Sequence, residues 1–198
     1  SFVLPYFAIS GRLEGVKMAK RCTPEEMLQR LAGLKKGCEE GIRQGLIKSA
    51  AVAETQVKKN LSPGSTPYKF APFDTGLLRG HIGYSIDVTS VDEYTARVGV
   101  EASVRNQDGI EIDTYARYVH DGTRPHNAPF EAIQRWAERK SRGGSSFPWF
   151  PIWLKIATQG TEPKPFLLDA IESTQGQYMP IIEDEYRKAL IQYCARYG

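Results

Sequence analysis

One stretch constrains this chain more than any other. From Met27 onward, apolar residues recur at Leu31, Leu34, Cys38, Ile42, Leu46, Ala50, Ala53 and Val57. Steps of three and four put them on one face of an α-helix. The start signal stands just before: Thr23 can cap, Pro24 suits the first turn and Glu26 completes a capping box. The stop signal is the turn-rich LSPGSTPYKFAP, which ends the helix near Asn60. About 35 residues at about 1.5 Å each give a rod of about 50 Å. That is long for one domain of 198 residues.

The same helix carries a conflict. Gly33, Gly37, Gly41 and Gly45 repeat every fourth residue. Each costs about 1 kcal/mol against alanine in a helix interior. Close approach of another backbone, from this chain or a neighbouring copy, is the compensation expected; without it the helix is loose. Lys35, Lys36, Glu39, Glu40 and Arg43 between the glycines exclude a membrane helix. No apolar run in the chain reaches the ~20 residues that a span needs.

Downstream, HIGYSIDVT (81–89) and YTARVGVEA (94–102) alternate in polarity across the short SVDE, which predicts an antiparallel hairpin. TYARYVHDGT (114–123), rich in Tyr and Val, reads as a third strand. Helical patterning returns in FEAIQRWAERK. The following FPWFPIWLKIATQGT packs Phe147, Trp149, Phe150 and Trp153 together, as a loop that completes the core or as a docking surface. PKPFLLDAIES turns helical, and a last helix is expected over roughly 177–196 with Ile181, Ile182, Tyr186, Ala189, Leu190 and Tyr193 on one side. The class is α+β in a single domain, 1–198. It divides into an N-terminal arm (1–22), the long helix (23–60), an antiparallel sheet (72–123), a helical insertion (124–162) and a C-terminal helical part (163–198). Residues 1–9, SFVLPYFAI, read as an edge strand or docking arm and not as a signal peptide, because they lack a basic lead and Pro5 interrupts them.

Catalytic readings find little support. FDTGLLRG contains the Asp-Thr-Gly of aspartic proteases, whose chemistry needs two carboxylates sharing one proton. One copy here demands a dimer, and it follows a turn-rich connector instead of an apolar strand. The local alternative is an elbow: Asp74 accepts backbone N–H bonds, Gly76 turns the chain, Leu77 and Leu78 enter the core, and Arg79 points out. His120, Asp121 and His126 have no standard metal spacing and read as loop residues. Cys22, Cys38 and Cys194, an odd and widely spaced set, suit a reducing cytosolic setting. No phosphate loop or nucleophile elbow occurs, and no cofactor is expected. Net charge is +3, too small to argue for nucleic acid. Between Lys17 and Lys59 ten basic residues face five acidic ones, and RWAERKSRGG is a second basic cluster. A nucleic-acid-binding module therefore stays an alternative.

Three motifs in order, FDTGLLRGHI, YARYVHDGTRPH and GTEPKPFLLDAI, resemble the neck, or tail-completion, proteins of long-tailed bacteriophages. That family's pattern runs Pro-x-Asp-Thr-Gly-x-Leu-Arg, Tyr-Ala-x-Tyr-Val-Glu-x-Gly-Thr and Pro-x-Pro-Phe-Leu. It falls here on Pro72 to Arg79, on Tyr115 to Thr123 with His120 in place of Glu, and on Pro163 to Leu167. The insertion resembles a variant in which two short helices separate the second and third motifs. The resemblance spans roughly residues 20–195 and implies a non-enzymatic α+β component of the head–tail joint. It would act in several copies around the DNA channel, between head-closure or connector proteins and the tail terminator and tube. A tail terminator is the alternative role within that setting. The implied location is the virion neck, with assembly in the host cytoplasm, no membrane, and a channel position that admits DNA contact. Asp74, Thr75, Gly76, Arg79, Tyr115, Tyr118, Gly122, Thr123, Pro165 and Phe166 are then fold-defining. Gly33, Gly37, Gly41, Gly45, Trp149, Trp153 and the 1–9 arm are candidates for subunit contact.

Overall fold

A computed structural model of the protein describes residues 22–68, 76–90, 93–101, 104–105, 109–141 and 148–197. The arm 1–9, Asp74 and Thr75 lie outside the described residues. Helix α1 runs from Pro24 to Asn60. Its capping box forms as the sequence predicts: Glu26 N–H donates to Thr23 Oγ1 at 3.2 Å, and Thr23 N–H donates to Glu26 Oε2 at 3.0 Å. Helix α2 (Leu77–Gly80) is a single turn. The strands β1 (Ile82–Ser90) and β2 (Glu93–Val100) form the predicted hairpin, pairing Ile82 with Val100 and Ile86 with Ala96. Helices α3 (Ile112–Asp121), α4 (Phe130–Ser141), α5 (Trp149–Gln159) and α6 (Phe166–Tyr197) follow. The class is α+β, mostly helical.

Helices α1 and α6 lie antiparallel. Asn60 meets Phe166, Ser49 Oγ donates to the Tyr178 carbonyl at 3.4 Å, Gly45 sits on Ile182, and Tyr193 OH reaches the Arg30 carbonyl. The main core gathers where α1 ends and α6 begins. Val57, Leu61, Leu78, Ile82, Ile112, Ala116, Phe166 and Ala170 are buried together there, with Tyr115, Val98 and Val100 packed around them. The paired helices continue past this core toward Thr23 and Tyr197.

Three expectations about the elements need correction. The segment 114–123 is not a third strand but most of α3, so the only sheet among the described residues has two strands. Its β-forming composition is overridden by burial. Ile112 and Ala116, four residues apart, are buried with Tyr115 and Val119 beside them, a helical face that a strand would split between two sides. The last helix does not begin near 177 but is continuous from Phe166, with Pro180 inside it. A mid-helix proline costs about 3 kcal/mol. Contact with α1 on both sides of it, through Phe166 and through Ile182, Tyr186 and Ala189, holds the helix across the defect. The aromatic segment is not a loop completing the core. From Trp149 it is helical, with Pro151 tolerated in the first turn, and none of α5 is buried.

The glycine stripe resolves residue by residue. A Cβ on Gly41 would meet Ala189 Cβ at 2.9 Å and Tyr186 Cα at 3.0 Å; on Gly45 it would meet Ile182 Cα at 2.6 Å. The backbone that these two glycines admit is α6 of the same chain, which corrects their reading as subunit contacts. Gly37 has nothing within 4 Å of the same position, and Gly33 is half-buried.

Candidate functional site

The three motifs, far apart in sequence, meet around one ring. Phe166 is 0% exposed. The first motif reaches it through Gly76, in the left-handed region at φ 81°, from which α2 starts. Only glycine adopts this at little cost. The turn buries Leu78 in the core with Leu77 against it, and leaves Arg79 exposed, donating to Ser62 Oγ at 3.0 Å. The elbow expected of this motif is present over its described residues.

The second motif lies on α3. Tyr115 packs on the core, Tyr118 is exposed, and the His120 ring stands edge-on to Phe166 at 5.5 Å. His120 Nδ1 lies 2.6 Å from Asp121 Oδ1. It is thus a half-buried helix residue and not the exposed loop histidine expected, whereas His126 is exposed and donates to the Arg124 carbonyl at 2.9 Å. Gly122 ends α3 at φ 70°.

The third motif closes the junction. Thr123 and Thr161 exchange backbone hydrogen bonds at 3.2 and 3.1 Å, and their hydroxyls lie 3.1 Å apart. Lys164 N–H donates to the Val119 and His120 carbonyls, both at 3.0 Å, and the Pro165 carbonyl accepts from Asp169 N–H at 2.9 Å. Gly122 and Gly160, both at positive φ, allow this: a Cβ on Gly122 would overlap the Thr161 carbonyl, and one on Gly160 the Thr123 carbonyl. The crossing is a clamp at the base of the insertion.

Sequence reasoning missed four participants. Asn60 is buried and donates from Nδ2 to the Phe166 carbonyl at 3.1 Å, while Gln56 donates to its Oδ1 at 3.0 Å. Gly160 and Thr161 form the second half of the clamp. Tyr68 donates to Asp169 Oδ2 at 2.5 Å, and burial, then that bond and the carboxylate's charge, push its phenol well above the ordinary range. Burial likewise lowers the Lys164 ammonium, with Glu162 opposing. Nothing local in the sequence flags the Asn60 or Tyr68 contacts. The glycine that precedes Thr161 and the paired prolines is a signal that was available for the clamp.

Above the clamp, α4 packs on α5. Trp153 Nε1 donates to the Ala128 carbonyl at 2.9 Å, which uses this candidate contact residue inside the insertion. Trp149 is half-buried and stands edge-on to Phe130 at 4.5 Å and to Phe150 at 5.6 Å. A groove of about 370 Å³ lies between α1 and α6, lined by Ala51, Thr55, Gln56, Lys59, Thr174 and Gln177. No group of three His, Cys, Asp or Glu among the described residues is placed to hold a metal. At the motif junction the Phe166 ring is sealed and the Thr123, Thr161 and Lys164 backbone groups are hydrogen-bonded, while Ala116, Arg117, His120 and Leu167 beside it line a groove of about 260 Å³. The chain matches no protein-family model, no curated protein and no solved structure.

Proposed function

We propose that this protein is a structural component of a bacteriophage neck, joining the head connector to the tail as one of several copies around the DNA channel. The observation that carries this reading is the convergence of the three resembling motifs on Phe166. Their described residues Gly76, Tyr115, Gly122, Thr123, Pro165 and Phe166 build one packed junction. Side chains used this way fix a shape, and an adaptor works by shape. In this role the α1–α6 pair and the insertion offer surfaces to neighbours: connector or head-closure proteins on one side, tail terminator and tube on the other. In this reading the described part of the first motif, from Gly76 onward, serves as an elbow and not as half of a peptidase site.

The test is genetic. An amber mutation in the gene, in the phage that encodes it, should yield DNA-filled heads and finished tails that remain unjoined, with joining restored by the wild-type protein in trans. Complete infectious particles from the amber mutant would refute the proposal.

A further inference from the structure

Helix α6 changes character along its length. Up to Thr174 it is anchored: Phe166, Ala170 and Thr174 are buried, the Phe166 carbonyl accepts from Asn60, and Asp169 accepts from Tyr68. Beyond Thr174 no described residue of α6 is buried. The facing half of α1 matches it, since N-terminal to Ser49 its only buried residues are Gly41 and Gly45. The distal part of the helix pair therefore has a seam but no core of its own.

Between the two halves stand three features that weaken a helix. The Ser173 and Thr174 hydroxyls both donate back to the Ala170 carbonyl, at 3.0 and 2.7 Å. Back-bonding of this kind competes with the helical ladder and bends it. Gly176 is exposed, and a Cβ there would meet nothing within 4 Å, so close packing does not account for the glycine. Pro180 comes four residues later and removes the donor that the ladder would aim at the Gly176 carbonyl. Kinks form at residues such as these.

Past Pro180 the grip on α1 is made of separate pieces. Gly41 lies against Ala189 and Tyr186, Gly45 lies against Ile182, Lys48 Nζ meets Glu185 Oε1 at 2.7 Å, and Tyr193 OH reaches the Arg30 carbonyl. We infer that residues 181–197 are a strap, hinged at Gly176–Pro180, that opens from α1 as a unit while the motif junction stays closed. A detached helix of this length is marginal in water, so the strap unravels as it leaves. Opening bares the Gly41–Gly45 seam and the inner sides of Ile182, Tyr186 and Ala189, a surface that the closed chain does not present. The inference concerns this chain alone and stands apart from the neck reading.

Native-state amide hydrogen exchange on the full chain, read by mass spectrometry, tests it. Strap amides over 184–194 should share one level of protection, at least about tenfold below that of amides 170–175, with the step at the hinge. Two variants then separate the strap from the base. Asn60→Ala removes a bond that the open state keeps, so it should lower protection over 170–175 at least about fivefold and leave the strap unchanged. Gly45→Ala strains a contact that only the closed state makes, so it should lower strap protection at least about fivefold. Three results would overturn the strap: equal protection in both halves of α6, a smooth gradient running in from Tyr197 with no step at Gly176–Pro180, or an Asn60→Ala protein in which both halves lose protection alike. The wild-type profile and Gly45→Ala decide the matter even where Asn60→Ala fails to fold.

Discussion

Gly45→Ala, set against Gly37→Ala, tests the helix pair that organises this molecule. Both positions are helical glycines on one stripe, eight residues apart. At Gly45 the added Cβ would lie 2.6 Å from Ile182 Cα, backbone that cannot swing aside. Non-bonded carbons rest about 3.5–4.0 Å apart, so α1 and α6 must separate by about 1 Å there. Overpacking of this kind costs about 1–3 kcal/mol, and a backbone contact belongs at the upper end. Alanine returns about 1 kcal/mol of helix propensity. The net loss is about 2 kcal/mol, a fall in Tm of roughly 4–8 °C for a chain of this size. At Gly37 the added methyl meets nothing within 4 Å. Only the propensity gain remains there, so Tm should rise by roughly 2–4 °C. Thermal melts followed by circular dichroism at helix wavelengths, with urea titrations for the free energies, read both variants. A Gly45→Ala protein that melts at or above wild type would refute the close-packing argument, as would a Gly37→Ala protein that loses as much as Gly45→Ala.

Three more outcomes follow from the junction. Gly160→Ala should lose about 3 kcal/mol or more in urea titrations, since φ 78° with ψ −158° is strained for any side chain and its Cβ overlaps the Thr123 carbonyl; a loss under about 1 kcal/mol would show that the clamp yields. Phe166→Ala should cost about 3–5 kcal/mol, and Asn60→Ala about 1–3 kcal/mol by stranding the Phe166 carbonyl; chemical denaturation measures both, and two mild variants would contradict the convergence of motifs on this ring. Tyr68 holds its proton in the native state beyond the pH at which an unfolded tyrosine loses it, near 10. Its contribution is therefore full below about pH 10 and is lost as pH rises further; Tyr68→Phe should show a shallower alkaline fall in stability, and an identical slope would refute the coupling to Asp169.

Elements defined by neighbouring residues were legible in the sequence. The Thr23–Glu26 capping box and the end of α1 at Asn60 form where the residues signal them, as do the β1–β2 hairpin and the Gly76 elbow. Elements decided by tertiary contact were not. Helix α3 carries strand-like residues, and only the burial of Ile112 and Ala116 against Phe166 and its neighbours selects the helix. Helix α6 continues through Pro180 because α1 grips it on both sides. The glycine stripe was readable as close packing, but whether the partner was this chain or another copy depended on where α6 runs. The candidate site shows the same division. Gly122, Pro165 and Phe166 stand out in their motifs, while Asn60 reaches Phe166 across 106 positions and Tyr68 reaches Asp169 across 101. A bond over such a span leaves no local pattern.

The proposed adaptor role puts the gene in a phage genome, and its most direct test is a cryo-EM reconstruction of that phage's neck, with side chains traced into density. The account predicts a closed ring of copies between connector and tail, with Phe166 sealed inside each copy and the α1–α6 pair intact. A finished neck that lacks the chain would contradict it.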